Sequence, residues 1–165
     1  MCFPDHFVMV IVQEDAKGGR SMSEAVRVWP ESAGRSDEKL GWPFADIAYR
    51  SGTRMPVAAT LHLVDPQRNP VTIEVEPLTN APLALGAGYQ PDPEWNHGEW
   101  KGRGWVERKT YDMTDPSVVA HTPFGLFEHA ARVRCGDTVG YALFEHGSIG
   151  RHDPSGFKDI GSVAP

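Results

Sequence analysis

The chain has few cysteines and no long apolar run, and each shortage excludes a class of protein. Two of its 165 residues are cysteines, Cys2 and Cys135, and they lie far apart in the sequence. Small extracellular domains are usually held together by several disulfides, so we expect reduced thiols and a cytoplasmic protein. The longest apolar run, residues 7–12, is too short to cross a bilayer and lacks the basic leader of a signal peptide, so we expect no membrane span.

Positive charge is also scarce, since the net charge is −6 with the histidines neutral. Nucleic acids are bound through basic patches that neutralise phosphates. The densest basic segment, residues 101–109, is interrupted by Trp105 and Glu107 and is typical of a solvated strand face. We therefore expect no nucleic-acid partner.

Common catalytic and cofactor signatures are missing from the sequence as well. It contains no glycine-rich phosphate loop after a strand, no Gly-x-Ser-x-Gly, no Cys-x-x-Cys and no His-Glu-x-x-His. Sites for nucleotides, for serine hydrolysis and for zinc are therefore not indicated. We expect neither a metal nor a cofactor.

Glycine and proline are abundant instead, with 17 and 14 copies. They recur along the chain and separate short runs rich in β-branched and aromatic residues, which is typical of β-strands. No stretch keeps a helical period, and residues 44–49 alone leave open a helical turn or a short strand. The predicted strands are residues 7–13, 23–29, 44–50, 55–64, 71–77, 82–89, 100–111, 124–134 and 139–146.

Most of these strands would pair with their neighbours along the chain. A meander of this kind removes its unpaired edges when it closes on itself. The length suits one hydrophobic core, so residues 1–165 are expected to form one domain. We predict an all-β fold, a single up-and-down lipocalin-like β-barrel of about eight to nine antiparallel strands, with an open sandwich as the alternative.

The tripeptide Phe-Glu-His occurs twice, on either side of the turn at residues 135–138. A hairpin centred on Gly136 and Asp137 would bring the two copies onto facing strands. Since successive side chains of a strand point to opposite faces, the two glutamates would share one face and the two histidines the other. The facing pairs would be Glu128 with Glu145, His129 with Phe144, and Phe127 with His146.

Both faces of this hairpin carry candidate catalytic residues. If Glu128 and Glu145 are buried together, one keeps its proton and becomes a general acid or base; the alternative is that each pairs with an arginine. His129 and His146 lie on the more apolar face, so we expect them to line the interior and relay a proton, or to be held by backbone groups. Two histidines without a third ligand do not predict a metal site.

Aromatic residues are the candidates for contacting an apolar ligand, because rigid aromatic side chains make good pocket walls. For the tryptophans, one core and one rim position is the alternative interpretation. Tyr141 is also a candidate hydrogen-bond donor. The predicted ligand-binding residues are Trp100, Trp105, Tyr111, Phe127, Tyr141 and Phe144.

Three segments, residues 95–102, 112–115 and 140–152, resemble the C-terminal half of the hydroxyneurosporene synthase/AttH-like group. This lipocalin-related (calycin) superfamily includes carotenoid hydratases. The strongest match is Gly-Tyr-x-Leu-Phe-Glu-His-Gly at residues 140–147. The resemblance implies a β-barrel with an apolar interior and binding of, or chemistry on, isoprenoid-like molecules. Such relatives generally carry two barrels and this chain has length for one, so a site between barrels would require a homodimer.

We therefore predict a barrel that binds a hydrophobic small molecule, isoprenoid-like or steroid-like. If it is an enzyme, we expect a cofactor-independent lyase (hydratase) or an isomerase or cyclase that uses Glu128, Glu145, His129 and His146 for acid–base catalysis. One alternative is a non-catalytic ligand carrier. Another is a half-protein module that acts by pairing with a second barrel.

Overall fold

A computed structural model describes residues 1–78, 98–106, 108, 110, 112, 114–116 and 126–165. The fold of this part is all-β, as the sequence predicts. Two short 3-10 helices, Glu31–Ala33 and Asp153–Ser155, accompany the strands. The strands are β1 (Phe7–Glu14), β2 (Arg20–Val28), β3 (Glu38–Lys39), β4 (Gly41–Tyr49), β5 (Pro56–Val64), β6 (Pro70–Pro77), β7 (Leu126–Cys135) and β8 (Thr138–Gly147).

The strands form two antiparallel sheets in which neighbours along the chain are neighbours in space. The first sheet has the order β1-β2-β3, and the second has the order β4-β5-β6-β7-β8. Alternation of side chains explains one dry and one wet face on each sheet. In β6, for example, Ile73 and Val75 are buried while Glu74 and Glu76 are exposed.

The two sheets are joined by backbone hydrogen bonds at two places. Cys2 N donates to Tyr141 O at 2.7 Å and Tyr141 N donates to Cys2 O at 2.9 Å, which links the start of the chain to β8. At the other junction, Leu40 is the single residue between β3 and β4, and its N–H donates to Ala25 O at 2.9 Å. The chain therefore passes from the first sheet to the second almost without interruption.

The hydrophobic core lies on the faces that the two sheets turn toward each other. Val8 of β1 and Ala25 of β2 pack in the same cluster as residues of the second sheet. Burial of these apolar side chains is the main force that holds the sheets together. The second sheet contributes Ala59, Leu61, Leu63, Ile73, Val75, Ala131 and Val133 to the cluster.

Two of the predicted strands have a different outcome from the rest. The prediction of a strand at residues 100–111 is wrong for the described residues of that range, which form turns and irregular chain. Gly102 and Gly104 have φ values of 108° and 82°, which an extended strand does not contain. The predicted strand at residues 82–89 lies outside the described residues. Residues 44–49 belong to β4 and form no helical turn.

No described segment forms a helix that is long and apolar enough to cross a membrane. Cys2 and Cys135 are both free cysteines.

Candidate functional site

The β7–β8 hairpin has the register that the sequence predicts. Glu128 faces Glu145, and His129 faces Phe144. Gly136 has a φ of 58° at the first central position of the turn, where two-residue hairpin loops often require glycine. This register separates the glutamates from the histidines, because the side-chain period of a strand is two residues.

The inner face of the hairpin carries a row of four rings. Phe127 is 0% exposed and His129 is 1% exposed. The ring centroids are 6.4 Å apart between Phe127 and His129, 6.3 Å between His129 and Phe144, and 6.5 Å between Phe144 and His146. The structure thus places both histidines on the wall that faces the first sheet.

The outer face of the hairpin carries Glu128, which is half-buried, and Glu145, which is exposed. The arginines expected to neutralise them have other carboxylate partners. Because of the strand alternation, neither glutamate shares the face of His129 and His146. The arginine pairs are Arg132 with Glu76, Arg134 with Glu74, and Arg151 with Asp153.

A cleft of about 1210 Å³ lies between the two sheets. Small-molecule sites are commonly about 300–1,000 Å³, so the cleft has room for a sizeable ligand. Its apolar lining includes Val10, Val12, Ala45, Ile47, Leu61, Ala142 and Phe144. Its polar lining includes Glu14, Arg20, Tyr49, His146, His152 and Ser155.

Five of these polar side chains form one continuous hydrogen-bonded chain, which we call the relay. His146 Nε2 lies 3.1 Å from Tyr49 Oη, and Tyr49 Oη lies 3.2 Å from Ser155 Oγ. Ser155 Oγ lies 2.9 Å from His152 Nδ1. His152 Nε2 lies 3.2 Å from Glu14 Oε2. The other carboxylate oxygen of Glu14 accepts a hydrogen bond of 3.2 Å from Arg20 Nε.

The relay forms where the ends of three strands meet. Glu14 is the last residue of β1, Tyr49 is the last residue of β4, and His146 is the next-to-last residue of β8. His152 and Ser155 belong to the 3-10 turn that follows β8. Asp153 N of this turn donates to Ala16 O at 2.8 Å, which attaches it to the β1–β2 loop.

Arg54 holds the segment that supplies His152 and Ser155. Its side chain is 0% exposed and donates to backbone carbonyls along residues 148–162. The guanidinium carbon also lies 4.3 Å from the ring centroid of Phe157, a cation–π contact. The bonded carbonyls are those of Ser148 at 3.1 Å, Gly150 at 2.7 Å, Ser162 at 2.7 Å, and Asp159.

Burial keeps His146 and Tyr49 neutral near pH 7. The pKa of His146 is lowered from 6.5 to about 4, first by burial and then by the neighbouring His152 and His129. Burial also raises the pKa of the Tyr49 hydroxyl. Among the described residues, His146 Nδ1 is buried and has no hydrogen-bond partner. Such an atom is expected to gain from a polar group supplied by a ligand.

The predicted ligand-binding residues fall into two groups. Phe127 and Phe144 lie on the inner face, and Phe144 lines the cleft. The others do not line the interior: Tyr141 is 63% exposed on the outer face, and Trp100 and Trp105 are 80% and 41% exposed in irregular chain. The prediction for Tyr111 lies outside the described residues.

Glu14, Tyr49, Ser155 and Arg54 were not predicted as site residues. A signal existed for the first two, because each continues an apolar inner face with a polar residue at the strand end. Glu14 follows the inward positions of Val8, Val10 and Val12 in β1. Tyr49 follows those of Ala45 and Ile47 in β4. No comparable pattern marks Ser155 or Arg54.

Fold and site define an all-β protein with a cleft of mixed apolar and polar lining and a polar relay at one end. A family model described as "Family of unknown function (DUF8625)" matches residues 1–158, and the chain belongs to this family. No curated protein and no solved structure matches the chain. Within the described ranges, no three His, Cys, Asp or Glu side chains converge as a metal site would require.

Proposed function

We propose that the cleft binds a small molecule with an apolar body and one polar group, and that His146 meets the polar group. We further propose cofactor-free acid–base chemistry on this ligand, such as hydration, isomerisation or cyclisation. One observation carries the proposal: a cleft with an apolar part ends in a chain of proton-carrying side chains, and His146 at its head has an unpartnered Nδ1.

The lining supports an apolar body for the ligand. Aliphatic side chains from β1, β4 and β5 and the ring of Phe144 line one part of the cleft. Pockets of this kind gain affinity from burial of apolar surface and specificity from a few polar groups. The hydrogen-bonded polar groups of the relay lie together at one end of it.

The relay supports proton transfer and changes which carboxylate takes part. Glu128 and Glu145 lie on the outer face of the hairpin, so we assign the carboxylate role to Glu14. Tyr49 and His146 are both neutral groups that can give or take a proton. They are in contact, with Tyr49 Oη 3.1 Å from His146 Nε2.

We also propose that the two sheets are the walls of one lipocalin-like barrel. Hydrogen bonds at Cys2–Tyr141 and at Leu40–Ala25 support this, because the first links β8 to the segment before β1 and the second links β2 to the residue before β4. The resemblance of residues 140–147 to hydroxyneurosporene synthase/AttH-like proteins favours an isoprenoid-like or steroid-like ligand. Pairing of two copies, which the resemblance also implies, is a separate proposal that sedimentation would test.

A non-catalytic ligand carrier is the second candidate function. It is favoured by the position of the relay, which attaches the 3-10 turn to β1 and β4. These contacts would stabilise the fold even if the protein catalysed no reaction. A carrier needs the apolar cleft and does not need proton transfer.

The first test is binding of an isoprenoid alcohol, farnesol, followed by a search for converted product by mass spectrometry. His146→Ala should lower affinity and abolish conversion if the enzyme proposal holds. Glu128→Gln is the matched control, since this residue lies on the opposite face of the hairpin and is outside the cleft lining. Binding without conversion would favour the carrier. Ile47→Trp places an indole in the cleft and narrows it, so unchanged binding in this variant would contradict both functions.

A further inference from the structure

We propose that the hydrogen bonds of the relay all point one way, from His146 to Glu14, so that His146 presents the bare lone pair of Nδ1 to a ligand hydroxyl. A proton taken up at this atom then leaves its positive charge on His152, beside Glu14. This inference rests on the proposed function, because it specifies the polar group of the ligand.

The direction is fixed at the Glu14 end. A carboxylate accepts hydrogen bonds and donates none. His152 Nε2, 3.2 Å from Glu14 Oε2, must therefore carry the proton. In a neutral imidazole the other nitrogen is then an acceptor, so Ser155 Oγ must donate to His152 Nδ1 across 2.9 Å.

The remaining bonds follow in order. Ser155 has one hydroxyl proton and has given it to His152, so in its contact with Tyr49 Oη at 3.2 Å it accepts. Tyr49 thereby uses its own proton, and His146 Nε2 must donate to Tyr49 Oη across 3.1 Å. A neutral His146 carries one N–H, which leaves Nδ1 without a proton. With His152 neutral, any other order would place two lone pairs against each other.

Proton uptake reverses three of the four bonds of the relay, and the bond from His152 Nε2 to Glu14 keeps its direction. The ligand O–H gives its proton to His146 Nδ1, and the Nε2 proton of His146 passes to Tyr49. The Tyr49 proton passes to Ser155, and the Ser155 proton passes to His152 Nδ1. The products are a ligand alkoxide and a His152 imidazolium. No heavy atom of the relay has to move between its four contacts.

The charges near the two histidines favour a positive charge on His152 over one on His146. A cation on His146 would be buried with His152 and His129 nearby, which is why the pKa of His146 is lowered. A cation on His152 instead contacts the Glu14 carboxylate directly. The carboxylates around His152 are Glu14, Asp15 and Asp153. The cations there are Lys17, Arg20 and Arg151, so the two signs of charge are equal in number.

A purely structural role for these contacts predicts something different. An anchor for the 3-10 turn functions with a neutral or a protonated His152, because every contact keeps one donor in both states. A directed relay in the resting protein requires one tautomer of His146 and of His152. The tautomer therefore separates the two roles.

The tautomer can be measured on the full chain labelled with 15N-histidine by NMR. We expect a bare, pyridine-type Nδ1 and a protonated Nε2 for both His146 and His152. Tyr49→Phe keeps the ring and removes the link, so His146 should lose its fixed tautomer. Asp46→Asn is the control: its partner His62 is exposed, and only His62 should respond. A proton on His146 Nδ1 in the wild type, or no response to Tyr49→Phe, would overturn the inference.

Binding provides a second, independent measurement. Dodecanol should bind about tenfold more tightly than dodecyl methyl ether, since only the alcohol donates to Nδ1, and Tyr49→Phe should reduce this preference. If dodecanol and its methyl ether bind equally well although the expected tautomer is observed, the proposed preference for a ligand hydroxyl is wrong. If neither probe binds, the proposed apolar-ligand function fails, and the NMR result alone decides the direction of the relay.

Discussion

At the scale of single residues, His146 and Arg54 show how burial changes what a basic side chain does. His146 loses its charge, since burial lowers its pKa to about 4. Arg54 keeps its charge in the interior because backbone carbonyls and the Phe157 ring surround the guanidinium. One residue is thereby available for proton transfer and the other positions the chain.

His146 should make folding stability depend on pH in a defined window. Its pKa is about 4 in the folded protein and near 6.5 when unfolded, so the unfolded state binds the proton first as the pH falls. The wild type should lose roughly 3 kcal/mol from this group between about pH 6.5 and pH 4, and His146→Asn should not. Urea unfolding at several pH values measures the difference, and parallel curves for the two proteins would contradict it.

Arg54→Lys should destabilise the protein although it conserves charge. An ammonium group cannot reach the carbonyls that the planar guanidinium binds, so several buried acceptors would lose their donors. We expect a loss of about 2–4 kcal/mol in the free energy of unfolding, with faster amide exchange in residues 148–162. Arg132→Lys is the comparison, because this exposed pair with Glu76 should change stability by less than about 1 kcal/mol.

At the scale of elements, the sequence predicts strands where turn chemistry and alternation agree. The β7–β8 register follows from Gly136 and from the alternation around it. Residues 100–106 also look like a strand by composition, but Gly102 and Gly104 adopt positive φ there. Trp42, with a φ of 52° at the irregular start of β4, carries no local signal of that conformation.

Among the glycines that the structure describes, Gly140 has the least room for a side chain. A Cβ atom there would lie against the carbonyl oxygen of Cys2 and 2.9 Å from the Phe3 ring, at the junction between the sheets. Gly140→Ala should therefore cost about 1–3 kcal/mol of stability in urea unfolding. Gly41→Ala, also in a strand, meets its nearest atom at 3.8 Å and should have a much smaller effect. Similar losses of stability in both variants would argue against a close contact between Gly140 and Cys2 at this junction.

At the scale of the whole molecule, the site depends on contacts that sequence patterns do not encode. Glu14 and His152 are 138 residues apart along the chain, and Tyr49 and His146 are 97 apart. Alternation predicts that each faces inward or lies near a strand end, but not which strand ends meet. The hairpin face could thus be derived from the sequence, whereas the relay required the packing of both sheets.

The relay also joins the two sheets, since Glu14 belongs to the first and Tyr49 to the second. These residues do not bond each other directly, so independent roles predict additive effects of Glu14→Gln and Tyr49→Phe on stability. A connected relay predicts a coupling free energy of about 0.5–1.5 kcal/mol in a double-mutant cycle. The reason is that breaking one hydrogen bond of a connected relay already weakens the remaining hydrogen bonds. Glu14→Gln with Arg132→Lys, on the outer face, should be additive. Additivity in both cycles would mean that the relay is a set of separate hydrogen bonds.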